Sequence, residues 1–90
     1  MVELLYEVWD DQDGGQEMSP VTELGDKQRA LVSPNAVRIH SFLACSRWDA
    51  FRNLYAWNGY GEWRPPPGSE DHFFTDEESE EQRNYLDARA

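Results

Sequence analysis

Val2, Leu4, Tyr6 and Val8 alternate with Glu3 and Glu7 at the start of the chain. A period of two predicts a strand with one apolar face. Leu5 and Trp9 share the acidic face, which is therefore expected to be only partly solvated. Asp10-Asp11-Gln12-Asp13-Gly14-Gly15 follows, and short acids that bond local backbone, then glycines tolerant of positive φ, predict a turn. A return strand at 15–18 would complete a hairpin. Over 19–32 the pattern weakens. Val21, Leu24, Gln28 and Leu31 fit a helical stripe, but Gly25 costs helix about 1 kcal/mol relative to alanine. The segment reads as a loop with one helical turn around 26–31. After the Ser33-Pro34-Asn35 turn, residues 37–44 read as a strand with Val37, Ile39 and Leu43 on its inner face.

The clearest helix is 47–58. Ser46 is suited to the N-cap, and Trp48, Ala50, Phe51, Leu54, Tyr55 and Trp57 fall in one arc of about half the circumference. Asn58-Gly59 ends it, with Gly59 fit for the left-handed position after the last turn. Pro65-Pro66-Pro67 then enforces extended chain. Thr75-Asp76-Glu77-Glu78 is a capping-box pattern opening a helix to about Ala88. Only Tyr85, Leu86 and Ala88 are suited to packing there, so it is expected to be loosely attached. The pattern predicts an α+β fold, with a small antiparallel sheet of about three strands packed against one main helix. Residues 1–66 form the compact domain, and 67–90 a proline-led acidic tail, partly helical and mobile. The expected core is Leu4, Tyr6, Val8, Val37, Ile39, Leu43, Trp48, Phe51, Leu54 and Tyr55.

Charge changes this picture at both ends. The chain has 90 residues and a net charge of −10. Residues 1–18 and 67–90 each sum to −6, and 19–66 to +2. Such ends repel phosphate, so direct nucleic-acid binding and anionic membranes are disfavoured. No apolar run approaches the ~20 residues of a membrane span. Met1-Val2-Glu3-Leu4 lacks the basic start of a signal peptide. With Cys45 the single cysteine, a reducing, cytoplasmic setting is the expectation.

Candidate chemistry is sparse. His40 and His72 lie 32 positions apart with no closely spaced ligand pair, so neither a metal nor another cofactor is expected. Cys45 directly precedes a helix N-terminus, which could lower its pKa, but alternation points His40 away from it. The chain is therefore expected not to be an enzyme. Tyr55, Trp57, Tyr60 and Trp63 could instead form a stacking platform. Trp57 lies at the edge of the apolar arc and Trp63 beyond the helix. Trp57, Tyr60, Trp63 and Arg64 are the candidate binding residues.

The order of parts carries a resemblance. Tyr6-Glu7-Val8-Trp9-Asp10-Asp11 is followed by Ala30-Leu31-Val32-Ser33-Pro34-Asn35-Ala36, then Phe42-Leu43-Ala44, Trp48-Asp49-Ala50 and Gly59-Tyr60-Gly61-Glu62-Trp63-Arg64-Pro65. This resembles a family of short, uncharacterised bacterial proteins with an E-V-W-D-D strand, a Ser-Pro turn and an S-W-E-E-A helix ending in G-W-x-x-Y-x-P. The likeness covers about residues 4–66 and implies a fold, but no activity and no catalytic residues. Here Arg47-Trp48-Asp49-Ala50 stands for W-E-E-A, and Gly59-Tyr60-Gly61-Glu62-Trp63 for G-W-x-x-Y. Three functions compete. The leading one is an interaction or accessory module, monomeric or homodimeric, that meets a protein partner through its aromatic–proline segment. The alternatives are an acidic mimic that occupies a nucleic-acid-binding protein and a small enzyme using Cys45 or His40.

Overall fold

In the computed structural model, which describes residues 1–89, three strands and three helices follow one another as β1 (Leu4–Asp10), β2 (Gln16–Pro20), α1 (Glu23–Val32), β3 (Val37–Ala44), α2 (Arg47–Asn58) and α3 (Asp76–Ala88). The strands form one antiparallel sheet in the order β2-β1-β3. The α+β class and the three-stranded sheet are as the sequence predicts. Tyr6 lies opposite Pro20 on one side and Phe42 on the other. Leu4, Tyr6 and Val8 are buried as their alternation requires. Leu4 and Tyr6 pack with Ala44 and with Ala50 of α2, and Met18, Phe42 and Phe74 close around them. The Tyr6 and Phe42 rings stack at 5.6 Å.

The inner face of β3 is not the expected one. Val37, Ile39 and Leu43 are exposed, and Phe42 and Ala44 turn inward. Pairing decides this: Ala44 lies opposite Leu4 and Phe42 opposite Tyr6, so both must share the face of those core residues. The register then slips between Val8, opposite His40, and Trp9, opposite Arg38, which leaves Ile39 unmatched in a bulge. Phe51, also expected in the core, is exposed on α2.

A full ten-residue helix, α1, stands in place of the expected loop with one helical turn around 26–31. The Thr22 hydroxyl accepts the Gly25 N–H at 3.0 Å, and a Cβ at position 25 would come within 2.9 Å of that oxygen. The glycine that weakened the helical pattern is what lets the cap sit close. Leu24 and Leu31 are exposed, so the apolar stripe is not what attaches α1; Asp26 and Arg29 do that.

The predicted ends of α2 are observed. Asp49 N–H donates to Ser46 Oγ, Cys45 N–H donates back to Asp49 Oδ2, and Gly59 adopts φ 72°. The connection from α2 to α3 returns to the start of α2. There Arg47 N–H donates to the His72 carbonyl, Phe74 N–H to the Cys45 carbonyl and Trp48 N–H to the Asp71 carboxylate. The Thr75–Glu78 capping box then opens α3. Gln82 docks this helix against β1: Leu5 N–H donates to Gln82 Oε1 at 2.7 Å, and Gln82 Nε2 donates to the Leu5 and Val21 carbonyls. A side-chain amide thus continues the β1–β2 ladder beyond Pro20.

Candidate functional site

Four of the six sequence candidates meet at the C-terminal end of α2 and the loop that follows it. Trp57 stacks on His40 of β3, centroids 4.4 Å apart and planes within 2°. One ring face is covered and the residue stays 42% exposed. Tyr60 meets Tyr55 edge-on at 5.5 Å and is 63% exposed. Trp63 folds back onto Phe51 at 5.1 Å and reaches Trp48 at 6.1 Å, so it is half-buried. Arg64 is exposed and pairs loosely with Glu62 at 3.6 Å. The four are therefore not one platform. Trp57 and Tyr60 present aromatic surface, while Trp63 braces the loop against α2.

Beside this shoulder runs β3, an outer strand of the sheet. Its second edge carries backbone groups with no partner strand among the described residues, and Val37, Ile39 and Leu43 are exposed along it. Trp57 is fixed to the same strand through His40. Rings with two torsions each, already held by neighbours, lose little freedom on contact.

The other two candidates do not converge. Cys45 is half-buried at the start of α2. Desolvation, then the Asp49 carboxylate, pushes its thiol up, opposite to what a nucleophile requires. His40 is occupied by Trp57. His72 bonds Glu78 instead, at 2.9 Å.

The chain matches no protein-family model, no curated protein and no solved structure. Among the described residues no helix is long and apolar enough to cross a membrane.

The sequence pattern gave one sign, and no residue pairing, for the charge cluster on the opposite face of the sheet. Glu7, only 2% exposed, accepts from Arg38 at 3.0 Å, from both terminal nitrogens of Arg89 at 3.0 and 2.9 Å, and from Trp9 Nε1 at 3.2 Å. Burial, the strongest influence, would raise its carboxyl. The hydrogen bonds from Arg89 and Arg38 outweigh it and bring the group from 4.5 down to about 2. Asp26 accepts from Arg29, Arg89 and the Tyr85 hydroxyl. Desolvation opposes its ionisation, but Tyr85 and Arg29 prevail and its pKa falls. The Arg29 guanidinium lies 3.8 Å over the Trp9 ring, a cation–π contact. Every carboxylate here is saturated by donors, which is the arrangement of a structural clasp joining β1, α1, β3 and α3. The one available signal was Glu7 sharing a face with Leu5 and Trp9.

Proposed function

We propose that the chain is a non-enzymatic protein-interaction module whose contact surface is the shoulder of Trp57 and Tyr60 together with the open edge of β3. The observation that carries this is the exposed Trp57 ring stacked on β3, with the exposed Tyr60 following it in the chain, at a strand that has one edge without a partner strand among the described residues and exposed apolar side chains. Aromatic anchors dominate interface energetics, and an unpaired edge offers main-chain hydrogen bonds to an extended partner segment. The raised Cys45 thiol and the engaged His40 support a role without catalysis. The double variant Trp57→Ala, Tyr60→Ala should keep its circular dichroism spectrum but lose at least about 100-fold in affinity for any protein that copurifies with the native chain, since each hot spot is worth ~2 kcal/mol or more. Retention of the same partner at the same affinity by the double variant would remove the basis of this reading.

A second reading, the acidic mimic, is favoured by one observation. Asp76, Glu77, Glu80, Glu81 and Asp87 are exposed on the regular, capped helix α3. The two readings separate by salt. Binding through α3 carboxylates should collapse as ionic strength rises toward 1 M, where screening reaches ~3 Å, whereas binding through the shoulder should persist.

A further inference from the structure

A groove of about 590 Å³ opens between the start of α2, the beginning of β1, the end of β2 and one side of α3. Its volume falls within the range of small-molecule sites, ~300–1,000 Å³. Leu4, Met18, Phe51 and Phe74 make an apolar floor. Tyr6 also lines it, and this side chain is 96% buried, being 4% exposed. Its hydroxyl nevertheless has no hydrogen-bond partner among the described residues, while no polar side-chain atom is both fully enclosed and unpaired. The Tyr6 oxygen therefore opens onto the groove. Desolvation, partly offset by Arg47 and reinforced by the Glu78 and Asp71 carboxylates, pushes this phenol up to about 12, so it is a neutral hydroxyl at neutral pH, able to donate.

Two charged groups on the rim are also unengaged. Arg47 lines the groove, acts on the Tyr6 phenol through its charge, and forms no ion pair among the described residues. Arg29, Arg38, Arg64 and Arg89 are paired, whereas Arg52 and Arg83, which do not line the groove, share with Arg47 the lack of an ion pair among the described residues. On the α3 side, Glu78 is held by His72 and the Thr75 N–H, whereas Glu81 has no partner among the described residues. The lining of the groove thus holds an uncommitted donor pair, from α2 and β1, an uncommitted carboxylate, from α3, and carbon surface.

We propose that the groove binds a free α-amino acid with an apolar side chain. Its carboxylate would meet Arg47 and the Tyr6 hydroxyl, its ammonium would face the α3 carboxylates, and its side chain would lie on Leu4, Met18, Phe51 and Phe74. A guanidinium with a neighbouring hydroxyl is a charge-assisted carboxylate anchor. The opposite signs across one opening disfavour ligands carrying only one of the two charges.

Three probes of similar body test this by titration of the whole chain, read from backbone amide shifts. L-Phenylalanine carries both charges, 3-phenylpropanoate lacks the ammonium, and 2-phenylethylamine lacks the carboxylate. L-Phenylalanine should saturate with a Kd of about 1 mM or tighter, shifting amides around Tyr6, Phe74 and Gln82, and each control should bind at least tenfold more weakly. Arg47→Gln and Tyr6→Phe should each weaken L-phenylalanine at least about fivefold and leave 2-phenylethylamine unchanged. Arg47→Gln lies on an exposed helix position, so it keeps the test valid if the core variant does not fold. No saturable shift with L-phenylalanine, a control binding as tightly, or unchanged affinity in Arg47→Gln would each overturn the proposal.

Discussion

Replacing Glu7 by glutamine should lower the free energy of unfolding by about 3 kcal/mol at neutral pH, roughly 15 °C in Tm for a chain of this size. The volume is conserved, so the loss is electrostatic. Arg89 and, at its more exposed edge, Arg38 would face a neutral amide at the buried Glu7 position, and breaking a pair whose carboxylate is buried is costly. The effect carries a pH signature. The Glu7 carboxyl has a folded pKa of about 2 against an ordinary 4.5. A depressed carboxylate contributes stability that is complete above the unfolded pKa and declines as pH falls toward the folded one. The native chain should therefore lose about 3 kcal/mol from this group between pH 5 and pH 2. Asp26, depressed in the same direction, adds to the loss in both proteins. Urea unfolding at pH 7, 4 and 2.5 checks this: native and variant curves should converge as the solution becomes acid. A stability gap that stays constant across that range would show that Glu7 is not the titrating group.

Gln82→Leu should be nearly as damaging, at about 2–4 kcal/mol. The leucine keeps the bulk but removes three hydrogen bonds. Leu5 N–H would then lie buried with no acceptor, and the Val21 carbonyl would lose its donor. Each such orphan costs about 1–3 kcal/mol. The Leu5 carbonyl suffers less because Val21 N–H still reaches it at 3.0 Å. Gln82→Glu is the sharper probe. It preserves the acceptor for Leu5 N–H and places a carboxylate against two carbonyl oxygens. Its destabilisation should be largest at neutral pH and relax in acid as the introduced carboxyl takes up a proton. Amide exchange at Leu5 is expected to be slow in the native chain, where Gln82 accepts its N–H, and should accelerate in both variants. Slow exchange at Leu5 in Gln82→Leu would mean that α3 does not complete the ladder.

What could be read from the sequence was what is encoded locally. The alternation of Leu4, Tyr6 and Val8 set a strand face, Ser46 and Gly59 bounded α2, and Thr75 with Glu78 started α3; each depends on neighbours within four residues. The inner face of β3 was not legible, because Val37, Ile39, Phe42 and Leu43 offer apolar side chains at both parities, and pairing with β1 chose between them. Helix α1 was obscured by Gly25, whose missing side chain serves the Thr22 cap. Of the candidate site, Trp57 at the edge of its arc was legible as a surface ring. The brace made by Trp63 on Phe51 was not, since it needs the loop to turn back. Nor was the clasp around Glu7. Its partners come from positions 26, 29, 38 and 89, and an acid in a strand reads as solvated until those arrive.

The same clasp bears on how long the folded state lasts. Glu7 and Arg89 are 82 positions apart, and Leu5 and Gln82 are 77 apart. Closing so wide a loop is slow compared with forming the β1–β2 hairpin or α2, whose contacts are near in sequence. Interactions that close late are absent from the rate-limiting ensemble and act on escape from the native basin rather than on entry to it. The C-terminal helix should therefore behave as a latch: weakening its docking at Gln82 is expected to speed unfolding while leaving the refolding rate nearly unchanged in stopped-flow measurements.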